Sequence, residues 1–143
     1  MARFTGRQAT SRGAEPALID ERGATSWSEF DNRVNRLVHA MRNAGLAAGD
    51  VIAIFAGNCR EYYEIMTAAG HSGIVYVPVN WHFTTEELQY VVDDAGARML
   101  FAEGQFDDVF SPVTQAAGRE LLRVSIRSAV EDCVDLELSL IHI

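Results

Sequence analysis

The sequence predicts an α/β fold: a partial, doubly wound parallel sheet preceded by an N-terminal β-hairpin. Three observations carry this. Short apolar runs at Val51 to Phe55, Ile74 to Val77 and Met99 to Ala102 are continuous rather than alternating, the pattern of parallel strands covered on both faces. Stretches with apolar residues at helical period alternate with these runs. A turn at Glu21-Arg22-Gly23 joins Pro16 to Asp20 with Ala24 to Trp27, and Gly23 supplies the positive φ that a tight hairpin needs.

The elements follow in chain order. Residues 1–14 are Arg-rich and acid-poor, without the apolar core of a secretory signal, and are expected to form a frayed terminus. After the hairpin, three helices have matched start signals: Ser28 with Asp31, Asn58 with Glu61, and Thr84 with Glu87. In each, the first residue accepts a hydrogen bond from a free backbone N–H, and the acid lies near the positive end of the helix dipole. The apolar stripes are Phe30, Val34, Leu37, Val38 and Met41; Tyr62, Ile65, Met66 and Ala69; and Leu88, Val91, Val92 and Ala95. Gly45, Gly73 and Gly96 are stop signals, Gly70 is expected to permit close packing, and Glu29 and Arg33 have the spacing of a helical surface pair. The order is hairpin, α, β, α, β, α, β, with right-handed crossovers. Beyond Glu103 a short helix is expected within Phe106 to Gly118 and a strand at Leu121 to Ile126. Organisation fails after Ser128, and Leu136 to Ile143 reads as an exposed, strand-like tail.

Composition bounds the chemistry. The chain has 143 residues, 12 basic and 20 acidic, for a formal charge of −8, and every basic residue is Arg. Without Lys there is no Schiff-base catalyst and no complete phosphate loop ending in Gly-Lys-Ser/Thr. The acidic balance argues against a nucleic-acid partner. No apolar stretch approaches a membrane span. Cys59 and Cys133 stand far apart without metal spacing, as reduced thiols of a cytoplasmic protein do.

No catalytic constellation emerges, and no residue is assigned a catalytic, cofactor-binding or metal-ligating role. His39, His71, His82 and His142 form no ligand spacing. His39 reads as a helix-surface residue and His71 as a helix-end residue near the last carbonyls. Ser28 lacks a Gly-x-Ser-x-Gly context and reads as a cap. The pairs Glu86–Glu87, Asp93–Asp94 and Asp107–Asp108 point about 100° apart on a helix and chelate poorly. One loop stands out, Pro78-Val-Asn80-Trp-His82-Phe83-Thr84, because it leaves a strand and enters a helix, where open parallel sheets place ligands. Its structural alternative is that Asn80 orders the turn and Trp81 covers an apolar edge.

These residues also carry a resemblance. Pro16-Ala-Leu-Ile-Asp20, Thr25-Ser-Trp-Ser-Glu-Phe30, Asn35-Arg-Leu37, Ala44-Gly45-Leu46, Gly49-Asp-Val-Ile-Ala53, Asn58 to Glu64, Gly73-Ile-Val-Tyr-Val-Pro-Val-Asn80, Thr84-Thr-Glu-Glu-Leu88 and Asp94-Ala-Gly-Ala97 stand in one order and spacing. Together they resemble the N-terminal part of AMP-forming acyl-CoA synthetases, in the adenylate-forming superfamily. Asn80 to Thr84 looks most like the fatty-acyl branch. The resemblance implies a parent enzyme that uses ATP and magnesium to convert a carboxylic acid to its adenylate and then to acyl-CoA, with AMP and pyrophosphate released. It also implies that Asn80 to Phe83 lies on the coenzyme A side. Aryl-acid ligases, peptide-synthetase adenylation domains and a non-enzymatic small α/β interaction module are the alternatives.

The family's lysine-bearing phosphate loop and C-terminal catalytic lysine have no counterpart here. The expectation is therefore an inactive fragment: residues 15–127 as a partial AMP-binding domain, and residues 128–143 as a tail without family match, the product of an incomplete reading frame. Neither ATP, magnesium nor coenzyme A is expected to bind the chain alone.

Overall fold

The computed structural model describes residues 4–141. Its centre is a five-stranded, fully parallel sheet. The chain runs α1 (Phe4–Arg12), β1 (Pro16–Asp20), β2 (Gly23–Ser26), α2 (Trp27–Asn43), β3 (Val51–Phe55), α3 (Arg60–Ser72), β4 (Val75–Val79), α4 (Thr85–Ala95), β5 (Met99–Glu103), α5 (Asp107–Phe110), β6 (Gln115–Ala116), β7 (Arg119–Glu120), β8 (Leu122–Ile126), β9 (Val134–Asp135) and α6 (Leu136–Ile141). The sheet order is β4-β3-β5-β8-β9. Two small antiparallel pairs, β1-β2 and β6-β7, stand apart from it.

The layers follow from the strand residues. Ile52 and Ile54 face a core shared with α2, α3 and α6, through Val34, Leu37, Met41, Ile65 and Leu136. Ala53 and Phe55 point the other way, to Leu88 and Val92 of α4 and Phe110 of α5. A strand reverses side-chain direction at each residue, so a continuous apolar run serves two cores, and β5 is buried at all five positions. Burying one Leu or Ile contributes about 1.5–3 kcal/mol.

Local signals explain most of the boundaries. The α2 stripe is buried at all five expected positions. Thr84 caps α4 reciprocally with Glu87, at 3.3 Å from the Glu87 N–H to Thr84 Oγ1 and 2.8 Å from the Thr84 N–H to Glu87 Oε2. Gly73 and Gly96 end α3 and α4 in the left-handed conformation.

Several expectations need correction. Phe4–Arg12 form a helix in place of the expected frayed segment: Thr5 Oγ1 donates to Asp31 at 2.6 Å, and the Phe4 ring meets Trp27 edge-on. The cap of α2 is Ser26, not Ser28, because Ser26 accepts the Glu29 N–H at 3.2 Å while the Ser28 N–H is taken by the Gly13 carbonyl. Residue Cys59, not Asn58, precedes α3, without a side-chain cap bond. Arg33 does not pair with Glu29; it reaches Glu64 on α3 and Glu137 on α6. No atom lies within 4 Å of a Cβ placed on Gly70, so close packing does not explain it.

Coverage at β4 is incomplete. Its neighbours Val75 and Tyr76 point to opposite faces and are 51% and 36% exposed. The tail also differs from its expected strand. Val134–Asp135 joins the sheet in parallel beside β8, and the following residues form α6. Leu136, Leu138 and Leu140 alternate as in a strand, but Leu136 and Leu140 also share a helical face. That face is buried while Leu138 is exposed. Asp135 starts the helix by accepting the Leu138 N–H at 3.2 Å. His142 and Arg3 lie outside the described residues. Among the described residues, no helix is long and apolar enough to cross a membrane.

Candidate functional site at the carboxyl edge of the sheet

Strand order locates the site. The chain leaves β3 through α3 toward β4, on one side, and leaves β5 toward β8, on the other. Connections therefore diverge from the carboxyl ends of β3 and β5, the place where an open α/β sheet opens a crevice. Glu103, the last residue of β5, spans it. Its Oε2 accepts the Gly57 N–H beyond β3 at 3.0 Å, and its Oε1 accepts the Gln105 side-chain amide at 2.6 Å. The Glu103 carboxylate is buried, and both its oxygens are hydrogen-bonded, so it orders the β3 loop rather than waiting for a partner.

The next residue permits a close approach. A Cβ on Gly104 would fall 2.1 Å from Ser128 Oγ and 2.6 Å from the Ser128 carbonyl oxygen. Only glycine lets the β5 and β8 loops meet there.

The β4–α4 loop forms one wall. Asn80 Oδ1 accepts the His82 N–H at 3.0 Å, an Asx turn, and lies 3.1 Å from His82 Nδ1. The Phe83 N–H donates to the Asn80 carbonyl at 3.0 Å. Trp81 stacks on Phe106 from the β5 loop, with centroids 5.5 Å apart and planes 17° apart, and Phe106 meets Phe55 edge-on at 5.7 Å. Asn80 thus orders the turn and Trp81 covers an apolar edge. Trp81 nevertheless stays 42% exposed beside an exposed His82, at the rim of the crevice.

Ionic contacts gather beyond β8 and at the start of α3. Arg127, one residue beyond β8, donates to Asp20 of the hairpin at 3.0 Å, to Glu61 of α3 at 2.9 Å, and to Glu21. Arg60 at the start of α3 also pairs with Asp20, through Nε at 2.9 Å, and donates to Thr25 at 2.9 Å and to the Gly23 carbonyl at 3.0 Å. The Arg60 hydrogen bonds hold the Asp20 carboxyl well below its ordinary range. Burial opposes the charge on Arg127, but its bonds to Glu21 and Glu61 raise its pKa overall. This cluster fastens the hairpin and α3 to the end of β8.

Other candidates fall elsewhere. Cys59 is buried near this edge, and burial pushes its thiol up to about 11, away from nucleophilic use. Cys133 is also free and is raised by burial. His39 is exposed on α2, and His71 lies in the last turn of α3, its pKa lowered by burial. Glu86, Glu87, Asp93, Asp94, Asp107 and Asp108 all stay exposed on helix surfaces, where Glu87 accepts the Thr84 N–H and Asp93 accepts the Ala117 N–H at 2.9 Å. Among the described residues, no group of three or more His, Cys, Asp or Glu could hold a metal ion. Glu103, Phe106 and Arg127 escaped the sequence reading. Glu103 alone left a signal, an acid closing an apolar run.

The layers and the divergence of connections between β3 and β5 define a doubly wound α/β protein. The chain belongs to the AMP-binding enzyme family, whose pattern matches residues 6–139. The match extends beyond 15–127 at both ends and so takes in much of the stretch expected to lack one. Among curated relatives, the fatty acid–[acyl-carrier-protein] ligase ScoC of Streptomyces coeruleorubidus is 37% identical over 101 residues, 71% of this chain and 20% of the relative. The feruloyl-CoA synthase of an Amycolatopsis species is 36% identical over the same shares. The chain thus spans about a fifth of these relatives' length. Among solved structures, the anthranilate CoA ligase AuaEII with anthranoyl-AMP superposes with a TM-score of 0.89 at 15% identity, over 99% of this chain and 27% of that one. The benzoate CoA ligase of Burkholderia xenovorans LB400 gives 0.86 at 19% identity, over 97% and 27%. Those two likenesses concern the fold.

Proposed function

We propose that this chain is the N-terminal part of an AMP-forming acid–CoA ligase, which converts a carboxylic acid, ATP and coenzyme A to acyl-CoA, AMP and pyrophosphate. The family match over residues 6–139 carries this reading. A fatty acid is the preferred substrate class, supported by Asn80 to Thr84 and by the fatty acid ligase among the relatives. A cytoplasmic setting accords with the two free cysteines.

The residues of this chain do not fit the reaction's cofactors. Phosphate binding in the family resemblance rests on a lysine-bearing loop, and the chain has no Lys. Its buried carboxylates face protein donors: Glu103 bonds Gly57 and Gln105, Glu61 bonds Arg127, and Glu64 accepts from Arg33 through Oε1 while its Oε2 has no partner among the described residues. No chemical step is therefore assigned to these residues, and the chain alone is inactive. Its contribution is architectural: it builds the carboxyl edge of β3 and β5 and presents Trp81 and His82 beside it.

We place that rim on the coenzyme A side of the intact enzyme. The test uses a hybrid in which residues 6–139 replace the matching segment of the Amycolatopsis feruloyl-CoA synthase. Trp81→Ala with His82→Ala should raise the KM for coenzyme A several-fold while leaving the KM for ATP unchanged. An unchanged KM for coenzyme A would overturn the placement.

A further inference from the structure

Away from the carboxyl edge, a cavity of about 150 Å³ lies between α2, α6 and the sheet. Its walls are Leu37 and Met41 of α2, Met99 and Phe101 of β5, Val124 of β8 and Leu136 of α6. All six are buried. Helix α6 closes the space and is held in place by Arg33, which donates to Glu137 at 2.7 and 3.0 Å, and by Arg36, which donates to the Leu140 carbonyl at 3.4 Å. Leu122 and Val134 also line it, at 37% and 42% exposure, and form its mouth.

The lining decides what enters. Ser139 brings a hydroxyl to the wall, and that hydroxyl already donates to the Asp135 carbonyl at 3.0 Å. The Ala40 carbonyl is taken by the Ala44 N–H at 2.9 Å. A buried water needs two to four polar partners, and an apolar cavity near 150 Å³ stays dry and takes benzene-sized molecules. The absence of a charged wall residue excludes a carboxylate or phosphate occupant.

We propose that this cavity is a binding site for a compact, uncharged hydrocarbon of roughly six carbons, entering between Leu122 and Val134. The site is separate from the β3–β5 crevice and independent of the ligase reading. Binding there fills space between α2 and α6 and so secures α6 on the sheet.

Met41 and Met99 line the cavity, whereas Met66 packs on the same core from α3 without lining it. Methionine-methyl NMR of the 143-residue chain titrated with benzene therefore reads the site directly. Saturable shifts at Met41 and Met99, with Met66 unmoved, are expected. Ala40→Leu, which projects a larger side chain into the cavity from α2, should abolish those shifts. Absent shifts in the native chain, equal shifts at Met66, or unchanged shifts in a folded Ala40→Leu chain would each overturn the proposal. Should Ala40→Leu not fold, the pattern across Met41, Met66 and Met99 of the native chain decides alone.

Discussion

Replacing Arg127 with alanine should remove the fastening of the hairpin and α3 to the sheet. The magnitude follows from three contacts. The Glu21 partner is 63% exposed, and a pair of that kind contributes about 0–1 kcal/mol. Asp20 and Glu61 are 11% and 5% exposed, and removing one partner of a buried pair costs about 3–5 kcal/mol. Asp20 keeps Arg60, and Glu61 keeps only Arg22 at 3.7 Å, so the lower end of that range applies. The expected loss is about 3 kcal/mol, or a fall in Tm of about 10 °C for a chain of this size. Backbone strain supplies an internal control. Arg127 has a φ of 69°, in the left-handed region. Arg127→Gly loses the same ion pairs but relieves that strain, so it should be more stable than Arg127→Ala by about 1 kcal/mol. Urea unfolding followed by tryptophan fluorescence measures both, with Trp27 reporting on the α1–α2 contact and Trp81 on the carboxyl edge. A loss below about 1 kcal/mol for Arg127→Ala would refute the fastening role, because exposed pairs alone account for that much.

Three further perturbations follow from the same structure. The Asp20 carboxyl is lowered in the folded chain, so its contribution is complete above its ordinary 3.8 and is lost as pH falls through the lower folded value. Asp20→Asn should flatten the acid limb of a stability–pH profile, and an unchanged limb below pH 3.8 would contradict this. Gly104→Ala should destabilise the chain by about 1–3 kcal/mol through overpacking. Adding Ser128→Ala should not restore the loss, because the Ser128 carbonyl oxygen also stands in the way; chemical denaturation of the single and double variants tests this. Thr84→Ala should cost about 1 kcal/mol through loss of the reciprocal cap, visible as a lower urea midpoint with unchanged slope.

The central elements were legible because their residues obey a single rule. At Val51–Phe55 and Met99–Glu103, a strand between two helical layers needs apolar residues on both faces, and the sequence shows an unbroken run. At Thr84–Glu87, the spacing of a reciprocal cap leaves little alternative. Legibility fails where two rules agree with the same letters. Ser26 and Ser28 each have an acid three residues on, and the docking of α1 through Gly13 decides between them. Leu136, Leu138 and Leu140 alternate as in a strand, yet Leu136 and Leu140 also share one face of a helix, and the apolar surface beneath α2 selects the helix. Glu61 and Glu64 on the buried face of α3 defy periodicity, since their partners Arg127 and Arg33 come from distant parts of the chain. The candidate site divides in the same way. Asn80 and Trp81 belong to one local loop and could be singled out, whereas Phe106 completes the stack from another loop, and Arg127 sits in a backbone conformation no local signal announces.

Thioester formation by the hybrid carrying residues 6–139 in the Amycolatopsis feruloyl-CoA synthase tests the account most directly. The account predicts ATP-dependent formation of feruloyl-CoA by the hybrid, with no ATP–pyrophosphate exchange by the 143-residue chain alone. A hybrid that folds, shows native-like cooperative unfolding and forms no thioester would contradict the claim that this chain builds the N-terminal part of an acid–CoA ligase.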